Sequence, residues 1–561
     1  MTASASSVPG LKPVVGNIAD GLTAMARARP DAMAVFAPSG RDAGGRARHV
    51  HLTFRQLDEL SDLAAAALTG KGISDGARTV LMVRPSLAFF ALTFGLFKAG
   101  AVPVLVDPGL GIKNLGPCLA EAAPSAFVGI PAADLARRLF GWGKDSIRTV
   151  VTIGRGWPGD LFGHFHSKAR EVRVRGGFSA RLPDETAAIL FTSGSTGVPK
   201  GAVYTHAIFQ AQVESLRATY DIRPGEVDLC TFPLFALFGP ALGMTCVVPE
   251  MDFTRPGRVD PTKIIEAVRD FGVTNLFGSP ALVRRVGEYG QRHGIELPSL
   301  KRVISAGAPV SASVLATFST MLAPGVEIFT PYGATESLPV ASIGSGAILG
   351  ETRFATEAGE GVCVGAPVEG MEVAIVGIDD GPIADWSDSL RVPPGTIGEI
   401  VVRGPVVTRS YFARPEATTL AKIADGDRFR HRMGDVGYFD DRGRIWFCGR
   451  KSHRVVTPER TWFTIPVEGV FNTHPSVYRT ALVGVGEPGK ARPVVCVELI
   501  RGKSPKSFGS IRDDLIALAQ AGPVTRGLDT FLRHPSFPVD IRHNAKIFRE
   551  KLAAWAAREL A

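Results

Sequence analysis

The segment FTSGSTGVPKGAVYTH, from Phe191 to His206, constrains the fold more than any other part of this chain. It follows TAAILF, an apolar and β-prone run, so its glycines and hydroxyls are predicted to form the turn that leaves a strand. Backbone N–H groups in such a turn can converge on an anion, glycines let the main chain come close, and Lys200 adds a compact positive charge. The segment therefore predicts a phosphate-binding loop, with a flexible Gly/Ser connector as the alternative.

The spacing within this loop argues against a Walker A motif. That motif has four residues between its first glycine and a Gly-Lys pair, whereas Gly194, Gly197 and Lys200 follow one another at intervals of three. A mononucleotide hydrolase of the P-loop type is therefore disfavoured. The residues expected to hold phosphate are Thr192, Ser193, Gly194, Ser195, Thr196, Gly197 and Lys200.

Length and composition narrow the class of protein. With 561 residues and 45% hydrophobic content, the chain is too long for one core and fits a globular protein of two or more domains. The longest apolar run, Leu87 to Phe97, is too short to span a bilayer, and no signal segment opens the chain, so we expect a cytoplasmic protein without a transmembrane segment.

The six cysteines lack metal-ligand or redox spacing, which predicts that they are reduced and buried. Because the net charge of +9 comes from dispersed Lys and Arg, a solvated surface is favoured over a nucleic-acid partner.

Short β-prone runs alternate with helical patterns along much of the chain. They lie at 79–83, 101–107, 126–130, 149–154, 274–278, 302–307 and 326–333. This alternation predicts an α/β fold with parallel sheets covered by helices. Ligands bind beyond the carboxyl ends of strands in such sheets, so we expect the loops after Phe191, Ser305 and Tyr332 to share one cleft. From about Gly365 to Arg450, short strands separated by Gly/Pro/Asp turns predict a small β-rich subdomain.

Five segments occur in an order that carries a family resemblance. They are LTFRQLDELSDLAAAAL (52–68), FTSGSTGVPKGAVYTH (191–206), ISAGAPV (304–310), PYGATES (331–337) and GDVGYFDDRGRIWFCGR (434–450). In this order they resemble the motifs of the adenylate-forming superfamily, which includes acyl-CoA synthetases, aryl-CoA ligases, luciferases and the adenylation domains of peptide synthetases. The resemblance extends from about residue 28 to the end. It implies a large N-terminal domain, 1–450, of two parallel-sheet α/β subdomains and a small β-barrel-like subdomain at about 365–450, then a small mobile α+β C-terminal domain, 451–561, that swivels between two half-reactions.

The resemblance also implies a chemistry. Members of the superfamily transfer AMP from ATP to a carboxylate, which provides a good leaving group, and catalysis is mostly charge neutralisation and positioning. ATP and Mg²⁺ are then the expected cofactors, with Thr335 at the α-phosphate and with Glu336 and Thr196 at the metal. The residues implied around adenine and ribose are Gly307, Ala308, Pro309, Tyr332, Gly333, Asp435 and Arg450.

A lysine near the C-terminus matches the catalytic lysine of this superfamily. The segment FPVDIRHNAKIFREKL (537–552) occupies the place of the family's lysine loop, and Lys546 matches its lysine. Asn544 and Ala545 replace the usual Ser-Gly pair. The resemblance implies that Lys546 bridges the substrate carboxylate and the α-phosphate; alternatively, it is one of several charges on a terminal amphipathic helix.

Other positions depart from the pattern of a CoA ligase. In 449–468, Ser452 stands at the hinge acid, and Pro458 and Glu459 replace a Ser-Gly pair whose loop lines the channel for the CoA thiol. Proline and a bulky acid do not copy the φ freedom of glycine, which argues against thioester formation. In 233–243, Ala236 replaces a histidine within a strongly apolar stretch. This stretch predicts either core packing or a pocket for a long alkyl chain, with Phe235, Phe238 and Gly239 at the substrate.

These departures resemble one branch of the superfamily, the β-lactone synthetases of bacterial long-chain olefin biosynthesis. That resemblance implies adenylation of a 2-alkyl-3-hydroxyalkanoic acid, a long-chain β-hydroxy acid, followed by attack of its own 3-hydroxyl and release of a β-lactone. His206 is a candidate base for the hydroxyl proton, although a lone histidine is more often structural. A complex with a lactone decarboxylase and a ketone reductase is implied as well. The alternatives are a long-chain acyl-CoA synthetase and a non-catalytic acyl- or nucleotide-binding protein.

Overall fold

The computed structural model describes residues 16–106, 111–154, 181–192, 199–232, 237–500, 502, 507–539 and 547–561. The described residues form two compact units. One contains those up to Thr192 together with Lys200–Val248, and the other contains those in Pro249–Ala561. Both units combine helices with β-sheets, which confirms the predicted α/β class.

The strands of the first unit form two sheets. They are β1 (Met33–Arg41), β2 (Ala47–Thr53), β3 (Arg78–Met82), β4 (Val102–Leu105), β5 (Ala126–Gly129), β6 (Thr149–Thr152), β7 (Thr186–Phe191), β8 (Gly201–Thr205), β9 (Val227–Cys230) and β10 (Thr245–Val247). One sheet has the order β6-β5-β3-β4-β7-β8 and is parallel except for the β7/β8 pair. In the other, β2-β1-β10-β9, the β1/β10 and β10/β9 pairs are parallel. The parallel sheets predicted from the β-prone runs are confirmed.

The helices of this unit show how local sequence sets helix ends and burial. They are α1 (Asp20–Ala28), α2 (Phe54–Gly70), α3 (Leu87–Lys98), α4 (Ile112–Ala122), α5 (Pro131–Leu139), α6 (His206–Tyr220) and α7 (Phe238–Leu242). A capping box starts α2: Thr53 accepts a hydrogen bond from the Gln56 N–H at 3.2 Å, and the Gln56 side chain accepts one from the Thr53 N–H at 3.0 Å. Every residue of α3 is buried, so the longest apolar run belongs to the core. Within the described ranges, no helix combines the length and apolar character needed to cross a membrane.

The second unit begins with a parallel sheet that becomes antiparallel. Its strands up to Arg450 are β11 (Asn275–Gly278), β12 (Arg302–Ser305), β13 (Glu327–Ala334), β14 (Ser337–Gly344), β15 (Val362–Pro367), β16 (Glu372–Val376), β17 (Gly398–Arg403), β18 (Lys422–Asp425), β19 (Arg428–Phe439) and β20 (Ile445–Arg450). β11, β12 and β13 are parallel, and β14, β15, β20, β19, β17 and β16 follow in antiparallel order, with β18 beside β19. The β-rich stretch predicted between Gly365 and Arg450 is confirmed.

Helices cover this sheet between its strands. They are α8 (Pro261–Phe271), α9 (Pro280–His293), α10 (Ala312–Ser319), α11 (Ser345–Ala347), α12 (Arg353–Glu357) and α13 (Pro415–Ala421). A short π-helical stretch, Ile348–Thr352, joins α11 to α12. Across both units all six cysteines are buried and none forms a disulfide, as their spacing predicts.

The chain after Arg450 has its own small sheet and core. Its elements are β21 (Val455–Val456), β22 (Thr461–Trp462), α14 (Thr464–Phe471), β23 (Val477–Val485), β24 (Arg492–Leu499), α15 (Phe508–Ala521), β25 (Phe531–Arg533) and α16 (Arg549–Leu560). One apolar cluster includes Phe471, Leu482 and Leu515, and a second includes Leu552 and Val494. The domain boundary at Arg450 stays a prediction.

A buried ion pair connects two helices of this segment. Glu468 in α14 accepts hydrogen bonds from the Arg549 guanidinium at 2.5 and 2.9 Å and from the Leu482 N–H at 2.8 Å. Both side chains are about nine-tenths buried, at 7% and 11% exposure. A buried charge pair is costly to break by removing one partner, because the other charge is left without compensation.

We therefore predict that Arg549→Met lowers the free energy of unfolding by about 3–5 kcal/mol. Urea unfolding followed by tryptophan fluorescence measures the change. Arg526→Met is the matched control, because Arg526 is exposed in the same segment. Equal unfolding midpoints for the two variants would show that the pair does not stabilise this segment.

Candidate active site

The predicted phosphate loop connects two antiparallel strands of the first unit. β7 ends at Phe191, which pairs with Gly201 at the start of β8. The Thr192 N–H donates to the Lys200 carbonyl at 2.9 Å, and the Lys200 N–H donates to the Thr192 hydroxyl at 3.4 Å. The strand predicted before the loop is confirmed. The loop residues Ser193, Gly194, Ser195, Thr196 and Gly197 lie outside the described residues, and their contacts with phosphate stay predictions.

In the second unit, three of the predicted nucleotide-binding residues are in direct contact. Asp435 on β19 lies opposite Arg450 on β20 in the antiparallel register. The Asp435 Oδ1 atom is 3.0 Å from Arg450 Nε, and Asp435 Oδ2 accepts a hydrogen bond from the Tyr332 hydroxyl at 2.7 Å. Arg450 also donates to the Met433 carbonyl at 3.2 Å. The hairpin strands β19 and β20 and the distant strand β13, with Tyr332 103 residues before Asp435, therefore bring these side chains to one place.

The Asp435 carboxyl has an oxygen that can accept a further hydrogen bond. Asp435 is 2% exposed, and its Oδ1 atom lies near the Arg450 cation but has no partner with hydrogen-bond geometry. Burial raises the pKa of Asp435, while Arg450 and the Tyr332 hydroxyl act to lower it. A buried acceptor of this kind is costly unless it is satisfied. A ribose hydroxyl is a suitable donor, so this group fits the nucleoside of ATP.

The predicted magnesium ligand lies at the tip of a hairpin. Ala334 pairs with Ser337, so Thr335 and Glu336 form the turn between β13 and β14. The backbones of β13 and β14 approach closely here, since a Cβ atom on Gly333 would lie 2.5 Å from the Ser337 carbonyl oxygen. Only glycine fits the backbone at that position without a shift. The turn therefore presents Glu336 at a fixed point.

Contacts from a distant segment orient Glu336. Its Oε1 atom accepts a hydrogen bond from the Tyr411 hydroxyl at 2.6 Å, and its carbonyl accepts from the Thr408 N–H at 2.9 Å and the Thr408 hydroxyl at 3.2 Å. Burial, with the neighbouring Glu336 charge, raises the pKa of Tyr411, so the hydroxyl stays protonated as a donor. Glu336 also contributes to the raised pKa values of Asp435 and Arg450, which puts these three charges in one electrostatic cluster.

Lys422 is a further cation near this cluster that the sequence patterns do not single out. Its Nζ donates to the Thr408 carbonyl and lies 5.2 Å from the centre of the Phe429 ring. Burial lowers the pKa of Lys422 to about 7, and the Glu336 charge opposes that shift. Neither Tyr411 nor Lys422 belongs to the motifs that carry the resemblance. A β-bridge between Ser337 and Val407 and the pairing of β18 with β19 place this segment beside the hairpin tip.

The loop predicted beside adenine follows the end of β12. Gly307 has a φ of +97°, which favours glycine, and both Gly307 and Pro309 are exposed while Ala308 is half-buried. The Ser305 hydroxyl, at the end of the strand, is buried and makes no hydrogen bond. The loop is therefore open to a ligand at the carboxyl end of a parallel strand, where the fold class predicts one.

His206 occupies a different environment in the first unit. It begins α6 and is 3% exposed, with its Nδ1 atom accepting a hydrogen bond from the Ile18 N–H at 3.2 Å. Burial, reinforced by Arg181, lowers the pKa of His206 to about 4, so the ring is neutral near pH 7. With Nδ1 as an acceptor, the ring proton is on Nε2. This geometry favours a structural role over the general base that the sequence suggests.

One of the predicted acyl-binding residues, Phe238, lies beside an aromatic ring of α6. The Phe238 ring is 6.0 Å from the Phe209 ring, which also contacts Tyr204 and Phe97. Gly239 is buried, and a Cβ atom there would lie 2.3 Å from Cys246 Sγ. Phe238 is thus part of an apolar cluster of the first unit. Phe235 lies outside the described residues.

The catalytic lysine and the metal site are the two remaining predictions. Lys546 lies outside the described ranges, and α16 begins at Arg549. Among the described residues, no group of three or more His, Cys, Asp or Glu side chains is placed to hold a metal ion. In ATP enzymes, Mg²⁺ is usually bound by one or two carboxylates together with substrate phosphates. A single carboxylate, that of Glu336, is therefore enough for such a site.

Solved structures of other enzymes share this fold. Amide bond synthetase McbA from Marinactinospora thermotolerans matches with a TM-score of 0.76 at 23% identity, covering 96% of this chain and 99% of that one. The anthranilate CoA ligase AuaEII, in complex with anthranoyl-AMP, matches with a TM-score of 0.76 at 20% identity, covering 98% and 99% of the two chains. At these identities the likeness establishes the fold.

Relatives in sequence establish the family. Olefin beta-lactone synthetase of Xanthomonas campestris pv. campestris is 52% identical over 553 residues, which are 97% of this chain and 98% of that protein. The enzyme of the same name from Stenotrophomonas maltophilia is 52% identical over 555 residues, again 97% and 98% of the two chains. A family model described as AMP-binding enzyme matches residues 22–412. The chain therefore belongs to the AMP-binding enzyme family, which confirms the resemblance to adenylate-forming enzymes.

Proposed function

We propose that this enzyme uses ATP to activate a long-chain 2-alkyl-3-hydroxyalkanoic acid and closes it into a β-lactone, releasing AMP and pyrophosphate. The observation that carries the proposal is the 52% identity, over almost the whole of both chains, to two enzymes named olefin beta-lactone synthetase. That likeness extends through the C-terminal segment, where this chain departs from the pattern of CoA ligases.

ATP would lie with its ribose at the Tyr332–Asp435–Arg450 group. The Asp435 Oδ1 atom would accept a ribose hydroxyl, and the exposed loop at Gly307–Pro309 would lie beside adenine. The loop between Thr192 and Lys200 would hold the β- and γ-phosphates, with Thr335 at the α-phosphate. Magnesium, held by Glu336 with Thr196, would neutralise phosphate charge.

The chemistry has two balanced steps. First, a carboxylate oxygen of the substrate attacks the α-phosphorus of ATP, and pyrophosphate leaves; Lys546 is the proposed cation between the two anionic groups. Second, the 3-hydroxyl oxygen attacks the acyl carbon, its proton passes to a base, and AMP leaves with the carboxylate oxygen. Because nucleophile and electrophile are in one molecule, a high effective molarity offsets part of the ring strain.

The hairpin β21–β22 supports ring closure over thioester formation. Its turn contains Pro458 and Glu459 in place of a glycine-containing loop, and the Thr457 N–H donates to the Arg460 carbonyl at 2.9 Å across it. Neither Pro458 nor Glu459 has a positive φ. The turn therefore lacks the backbone freedom that a glycine loop would give to a thiol channel.

A cytoplasmic location and a complex with a lactone decarboxylase and a ketone reductase complete the proposal. The substrate carries long alkyl chains and the product a strained ring. Direct transfer between neighbouring enzymes would limit exposure of both to water.

Purified enzyme, given ATP, Mg²⁺ and a long-chain 2-alkyl-3-hydroxy acid without CoA, should form the β-lactone and one AMP per lactone. Mass spectrometry and NMR identify the product. A product that appears only with CoA would instead indicate an acyl-CoA synthetase. Absence of acid-dependent pyrophosphate release would indicate a binding protein without catalysis.

Asp435→Asn should reduce kcat/KM for ATP by about 10- to 100-fold, because a hydrogen bond to a charged group is worth about 1.5–3 kcal/mol. Asp441→Asn, an exposed position on the following turn, is the control and should leave the constant unchanged. Deoxy analogues of ATP give a second readout. Removing the ribose hydroxyl should lower kcat/KM for the native enzyme but not for the Asp435→Asn variant. An equal loss of kcat/KM in both would exclude Asp435 from the ribose site.

His206→Asn should leave the rate of ring closure unchanged, because the Asn side-chain oxygen can accept the Ile18 N–H in place of Nδ1. Rapid-quench measurement of pyrophosphate and lactone separates the two steps. If His206 is the general base, ring closure will instead slow by about 10²–10⁴-fold while pyrophosphate release persists.

A further inference from the structure

The hydrogen bonds that orient Glu336 come from one short segment of the chain, Thr408 to Tyr411. The Tyr411 hydroxyl donates to the Glu336 carboxylate, and Thr408 donates to the Glu336 carbonyl from its N–H and from its hydroxyl. A β-bridge between Ser337 and Val407 lies directly beside these bonds. The position of the Glu336 carboxylate therefore depends on what holds this segment in place.

The two ends of the segment are held by α13 and β18. At one end, Lys422 Nζ donates to the Thr408 carbonyl. At the other end, the Tyr411 N–H donates to the Thr418 hydroxyl at 3.1 Å. Thr418 lies in α13, and Lys422 begins β18 directly after that helix. One short stretch of chain therefore supports both residues that bond to Glu336.

The strand β18 is itself fixed by the strand that carries Asp435. Lys422 lies opposite His431 of β19 in the antiparallel register, and its Nζ is 5.2 Å from the centre of the Phe429 ring. β19 continues to Asp435 in the proposed ribose site. The carboxylates proposed for metal and ribose are thus supported by the same strand, Asp435 directly and Glu336 through β18.

A neutral donor would satisfy the Thr408 carbonyl at a lower cost than a lysine does. Thr408 is 1% exposed, so its carbonyl needs a donor. Burial lowers the pKa of Lys422 to about 7, which means that keeping the ammonium charged at this place costs free energy. The Glu336 charge opposes that shift, so the ammonium and the carboxylate attract each other. The lysine charge is therefore matched to Glu336 as well as to the Thr408 carbonyl.

We propose that Lys422 is a positioning residue for the metal site, which acts through Thr408 to fix the turn that presents Glu336 to Mg²⁺. The inference rests on the proposed function in one respect, the Mg²⁺ ion at Glu336, and does not depend on ring closure. Residues that orient the ligands of a metal typically change its affinity by about 10- to 100-fold when they are removed. The alternative is that Lys422 only stabilises the fold around Thr408.

Lys422→Met removes both the charge and the hydrogen-bond donor and tests the proposal by metal binding. Mn²⁺, which takes oxygen ligands as Mg²⁺ does, is titrated by EPR into enzyme held in excess over α,β-methylene-ATP, an analogue that cannot release pyrophosphate. The Kd for Mn²⁺ should rise about 10- to 100-fold in the variant. Lys301→Met removes a charge from an exposed position of the same unit and should leave the Kd unchanged. An unchanged Kd in Lys422→Met would overturn the proposal.

A double-mutant cycle with Glu336→Gln separates positioning from a general loss of stability. If Lys422 acts through the Glu336 carboxylate, adding Lys422→Met to Glu336→Gln should change the Kd by about twofold or less. The full loss of affinity in both backgrounds would contradict the positioning role, because the lysine would then act independently of Glu336. Lys422→Arg keeps the charge and the N–H donors and should recover part of the affinity. A Kd equal to that of Lys422→Met would also contradict the role.

Failure of the proposed function is recognised separately. Native enzyme is first assayed for pyrophosphate release and for lactone. If lactone does not form but the cycle gives the expected coupling, ring closure is wrong and the role of Lys422 stands. If lactone forms and the Kd values do not respond, only the role of Lys422 is wrong.

Discussion

The contact among Asp435, Arg450 and Tyr332 is the interaction on which the candidate site depends. A carboxylate that is 2% exposed needs a compensating charge, and Arg450 supplies it from the neighbouring strand at 3.0 Å. The Tyr332 hydroxyl joins a third strand to the pair. Since Arg450 also ends β20, the chain continues from it directly to Lys451, which pairs with Glu399. The proposed nucleotide site and the start of the C-terminal segment therefore share one structural element.

Glu336 extends this cluster towards the place where phosphates would bind. The Tyr411 hydroxyl donates to the Glu336 carboxylate, and the Thr408 hydroxyl donates to the Glu336 carbonyl. The Thr408 carbonyl in turn accepts a hydrogen bond from Lys422 Nζ. The proposed metal ligand is thus oriented by uncharged hydrogen-bond donors, and its negative charge is available to a cation. Such preorganisation is the usual source of catalysis when the reaction brings two anions together.

Sequence patterns predict the elements that local chemistry determines. The strand before the phosphate loop and the parallel runs follow from β-prone runs and turn residues. The motif at 331–337 marks Thr335 and Glu336 by resemblance, but the β13–β14 hairpin that holds them is seen only in the structure. Long-range partners do not, because nothing local connects Tyr411 to Glu336 across 75 residues or Lys451 to Glu399 across 52. His206 shows the opposite limit, since its burial and its contact with Ile18, 188 residues away, favour a structural role and neither is visible in the local sequence. These long-range partners are set by how the strands pair in the sheets, which the motifs do not show.

The central claim is that a carboxylate oxygen is transferred to AMP and that the 3-hydroxyl oxygen then becomes the ring oxygen. Substrate labelled with ¹⁸O in both carboxylate positions tests this directly by mass spectrometry of the two products. The account predicts one ¹⁸O in AMP and one in the lactone carbonyl. If both labels remain in the lactone and AMP carries none, the carboxylate is not adenylated and the account is wrong.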